Sequence, residues 1–71
     1  MPVENAKSEL MAALQKEAEA ARRRSQRLVE IGKRMPNPHE QNELIAMALA
    51  EGRAAEAFDR AMEFLHDQAK S

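Results

Sequence analysis

The sequence predicts an all-α fold, an antiparallel two-helix hairpin that dimerises into a four-helix bundle. Three observations predict it. Helix-favouring Ala, Glu, Arg, Leu, Met and Gln dominate a chain with no Trp, Tyr or Cys and only two Phe, which leaves little with which to build strands. One cluster alone strongly interrupts the helical pattern, Met35-Pro36-Asn37-Pro38. On either side of it apolar residues recur at 3-4 spacing, and the second run is too widely apolar to be satisfied by one neighbour.

The first element is a helix over residues 2–34. Pro2 can open it, and nothing breaks the pattern before Gly32. Its apolar seam comprises Val3, Leu10, Met11, Leu14, Ala18, Ala21, Ser25, Leu28, Gly32 and Met35, with small residues in the middle. Such a helix is on the order of 50 Å long.

The turn, 35–37, follows from its prolines. Pro36 disfavours helical geometry at Met35, and Asn37 is a good N-cap. Pro38 fits the first helical position, and Glu40 is placed to reach back to the cap. The second helix then covers 38–69, so that residues 1–71 form a single helical-hairpin domain. Gly52 is its one weak point: Glu51-Gly52-Arg53 would serve as a turn if the helix broke there. The counterpart seam is Leu44, Met47, Ala48, Ala54, Ala55, Phe58, Ala61, Met62, Leu65 and Ala69. Folding the chain back at Pro36 brings Phe58 near Ala18 and Ala21, and Met62 and Leu65 near Leu14 and Leu10, so that large faces small.

Adding Ala50, Ala57 and Phe64 widens the apolar arc of the second helix to about 200°, twice the stripe that one neighbour covers. A chain of this size without disulfides often needs a partner, and a symmetric homodimer is the economical one; a different protein docked on the same face is the other candidate. The interaction residues expected on this basis are Phe58, Met62, Phe64, Leu65 and Met47. Arg24 and Glu51 join them as a charged pair. Glu51 lies inside the apolar arc and needs a cation, and the hairpin register brings Arg24 opposite it, within one hairpin or across the dimer.

Charge divides by halves. Residues 1–35 carry eight Lys/Arg and five Glu, a net +3, and residues 36–71 carry three Lys/Arg and seven Asp/Glu, a net −4. The densest basic block, Arg22, Arg23, Arg24 and Arg27, is the candidate for nucleic-acid contact, by analogy with small hairpin dimers that engage RNA. Against it stand the absence of nearby aromatic residues for stacking and the i,i+4 pairs Glu19–Arg23 and Glu30–Arg34, which suit a solvated helix face.

Other chemistry finds no footing. Glu63-Phe64-Leu65-His66 has the Glu-x-x-His spacing of di-iron helical bundles, but Glu63 lies about 100° round the helix from Met62, on an acidic face, so no metal or cofactor is expected. His39 has no nucleophile placed beside it, so no catalytic residue is expected and the chain is not read as an enzyme. The longest wholly apolar run, 44–50, is too short to span a bilayer, and the N-terminal residues lack the order of a secretory signal. The expectation is a cytoplasmic interaction or regulatory protein, with a nucleic-acid-binding dimer as the alternative.

Overall fold

A computed structural model of the chain describes residues 3–70, with side chains described from Asn5 to Gln68. Two helices account for nearly all of it, α1 (Val3–Arg34) and α2 (Pro38–Lys70), and they pack against each other as a hairpin measuring 54 × 18 × 12 Å. Pro2, and the side chains of Val3 and Ala69 at the ends of the two expected seams, lie outside the described residues. No break occurs at Gly52, and α2 runs through it as one helix. With one helix packed against one other, the hairpin is a single layer of two rods.

The connection is built without a left-handed residue, because Pro36 and Asn37 turn the chain in ordinary backbone conformations. Asn37 caps α2: its Oδ1 accepts from the His39 amide at 2.9 Å, and its carbonyl accepts the first intrahelical bond, from the Gln41 amide at 3.0 Å. The return bond expected from Glu40 is not made. Gln41 acts instead, its Nε2 donating to the Met35 carbonyl at 2.5 Å and tying the last turn of α1 to the first turn of α2.

Burial follows a strict 3-4 alternation in both helices. In α1 the least exposed side of the rod carries Met11, Leu14, Ala18, Ala21, Ser25, Leu28, Gly32 and Met35; in α2 it carries Gln41, Leu44, Ala48, Glu51, Ala55, Phe58, Met62 and Leu65. Such a heptad pattern keeps one seam facing the partner helix along the whole rod. Gly32 is buried because the helices close up there, and a Cβ added to it would stand 3.5 Å from that of Leu44. Continuing that register, Leu28 falls opposite Ala48 and Ala18 opposite Phe58, large against small so that side chains interdigitate, whereas Ala21 falls opposite Ala55, small against small. The hydrophobic residues that become fully buried are all alanines: Ala18, Ala21, Ala48 and Ala55.

Four expected seam residues lie elsewhere. Leu10, Met47, Ala54 and Ala61 stand one position off the buried line, because the seam tracks 3-4 alternation and leaves them on its flank; Leu10 and Met47 are both about half exposed.

Candidate interaction surface

Polar groups in and beside the seam find partners within the hairpin. Ser25, in the middle of α1, donates from Oγ to the Ala48 carbonyl at 2.8 Å, so its hydroxyl is satisfied where the helices are close. Glu51 occupies a seam position with its side chain 29% exposed, and Arg24 Nε donates to its Oε2 at 2.5 Å. The expected pair therefore forms inside one hairpin. Arg22 pairs with Asp59 on the opposite flank, a contact the residue pattern alone did not suggest.

Because Arg24 is half exposed, the pair is expected to contribute modestly, with a coupling of about 0.5–1 kcal/mol. Replacing either residue alone by Ala should lower the melting temperature more than the coupling predicts, since the other charge is left beside apolar side chains. A double-mutant cycle read by thermal denaturation checks this, and zero coupling would mean that Glu51 is satisfied by water alone.

Phe58, Met62 and Leu65 sit half-buried in the seam, while Met47 and Phe64 are 52% and 61% exposed. The exposed pair ends a second regular row on α2, Met47, Ala50, Ala54, Ala57, Ala61 and Phe64, again at 3-4 spacing and about 100° round the helix from the first. A matching row of α1 runs along the same side of the hairpin: Leu10, Ala13, Glu17, Ala20, Arg24, Arg27, Ile31 and Arg34. The two rows meet at an open groove of about 350 Å³ lined by Arg24, Arg27, Leu28, Ile31, Met47 and Glu51. Ile31 was absent from the residues singled out by sequence. Its signal was its position one step before Gly32, on the flank shared with Arg24 and Arg27.

The hairpin exposes 5613 Å², whereas a globular chain of 8.0 kDa exposes about 4,400 Å². The excess, roughly 1,200 Å², is larger than the about 800 Å² that each partner contributes to a standard interface.

Of the arginine block, Arg22 and Arg24 are engaged by Asp59 and Glu51, which halves its free cations. Arg23 and Arg27 are exposed and make no ion pair among the described residues. Glu63 and His66 are both exposed, and among the described residues no three His, Cys, Asp or Glu side chains are grouped to hold a metal. Neither described helix is long and apolar enough to cross a membrane. Compared with protein-family models, with curated proteins and with solved structures, the chain matches none.

Proposed function

We propose that this chain is a small non-enzymatic protein-interaction module that works by presenting helix faces, and that it self-associates into a four-helix bundle as its working, regulatory form in the cytoplasm. One observation carries the reading: the fully buried hydrophobic residues of the hairpin are four alanines, while Met47 and Phe64 lie at the surface. Burying a large apolar side chain is worth about 1.5–3 kcal/mol, so the apolar free energy of this chain is largely unspent in the single hairpin. A groove with apolar walls, open along one side, suits an incoming side chain from another helix.

Sedimentation equilibrium at micromolar concentration tests it. The expected mass is twice 8.0 kDa, and a cooperatively folding monomer throughout that range would overturn the reading. The nucleic-acid alternative retains one supporting observation, the free Arg23 and Arg27 on α1. It requires retention on RNA or DNA at low salt that falls steeply as salt rises and that vanishes when both arginines are replaced by Glu.

A further inference from the structure

The second apolar row of α2 has the same spacing read in either direction. Turned end for end about the point between Ala54 and Ala57, it lays Met47 over Phe64, Ala50 over Ala61 and Ala54 over Ala57. The α1 row on the same side of the hairpin has a centre of its own, at Arg22. Turned about it, Leu10 lies over Arg34, Ala13 over Ile31, Glu17 over Arg27, and Ala20 over Arg24. These two centres stand at one level of the rod, where the buried Ala21 and Ala55 come opposite each other. A single two-fold axis perpendicular to the helices therefore serves both rows at once.

Resting on the self-association proposed above, we infer that this face receives a second copy of the chain, antiparallel across that axis, with Phe64 of each copy entering the groove between Ile31 and Met47 of the other. Four features of the hairpin fit this occupant. Among the described residues Phe64 is the most exposed large apolar side chain, and the groove it meets is open, largely apolar in its walls and roomy enough for an aromatic ring. On α2 the residues around the axis are Ala54 and Ala57 with Ala50 and Ala61 beyond them, so the two α2 backbones can approach closely. Charge is complementary: Glu17 meets Arg27 of the second copy, twice by symmetry, and neither is in an ion pair within the hairpin. Arg24, also on this face, is already neutralised by Glu51, and Arg34 can lay its aliphatic stem over Leu10 of the second copy. The area left over by the hairpin is of the size such an interface consumes. One juxtaposition is unfavourable, Arg53 beside Arg60 of the second copy, and it lies at the exposed rim where water and salt screen it.

The test measures the dimer dissociation constant by sedimentation equilibrium, with circular dichroism to show that each variant keeps its helices. Phe64→Ala should weaken the dimer by about a hundredfold, because it removes the ring from the groove at both ends of the interface. Leu49→Glu, an equally exposed site on the other flank of α2, should leave it unchanged. Glu17→Arg and Arg27→Glu should each weaken it about tenfold, and the two together in one chain should restore it, since the swap rebuilds both ion pairs. A dimer indifferent to Phe64→Ala, a dimer lost with Leu49→Glu, or a charge swap that fails to restore binding would overturn this arrangement while leaving self-association standing. A wild-type chain that stays monomeric would remove both.

Discussion

Replacing Phe58 by Ala is expected to destabilise the hairpin by about 2–3 kcal/mol, the largest single effect of any side-chain truncation along the seam. Phe58 is the bulkiest residue on the buried side of α2, and the register sets it against Ala18, which is 1% exposed. Removing the ring leaves a small residue facing a small residue, a void that the two rods can close only by bending; the partial exposure of Phe58 keeps the cost at or below the lower end of the range for buried aromatics. Urea denaturation followed by circular dichroism checks it. The same reasoning makes Ala18→Leu destabilising through overpacking, and makes the two changes together cost less than their sum, because the leucine refills part of the space the ring leaves. A double variant as unstable as the sum of the two would place Phe58 opposite some other residue.

Ala21→Leu is the second large effect, with an expected loss of about 2 kcal/mol or more. Ala21 is 0% exposed and the register sets it across from Ala55 at 2%, so that two buried alanines meet at this level. A leucine there has no small-to-large alternation to use, because both faces are already at contact, so the helices must separate locally. Separation would stretch the Ser25 Oγ bond to the Ala48 carbonyl one turn away and cost its hydrogen-bond energy as well. Thermal unfolding is the direct readout. A melting temperature equal to that of the wild type would mean that the helices are not held at alanine distance at this level.

Much of this arrangement is legible in the residues. The Met35-Pro36-Asn37-Pro38 cluster marks where one helix ends and the next begins, since proline geometry and an Asn cap act within a few residues of themselves. The Arg24–Glu51 pair is legible too, because a carboxylate among apolar positions has few ways to be satisfied. Met47 is harder. A helix read at 100° per residue puts it with Leu44 and Ala48, whereas two packed rods follow a 3.5-residue repeat that leaves it on the flank. Arg22–Asp59 and the Gln41 side chain's bond to Met35 depend on where long, flexible side chains come to rest, which spacing alone does not determine. The Glu40 carboxylate does not return to the Asn37 amide, and the side chain that reaches back across the turn is that of Gln41, donating to the Met35 carbonyl.

The hydrogen bonds between α1 and α2 are graded in sequence separation: 6 residues for Gln41 to Met35, 23 for Ser25 to Ala48, 27 for Arg24 to Glu51, and 37 for Arg22 to Asp59. Closing a loop costs entropy that grows with the logarithm of its length, so making the last of these from an open chain costs roughly 1.6 kcal/mol more than making the first. Once Gln41 has clasped Met35, each further bond closes only the residues beyond the one before it rather than the whole loop. Loop-closure entropy therefore favours contacts near Asn37 first and those near the two chain ends last, the order in which a zipper closes from its joined end.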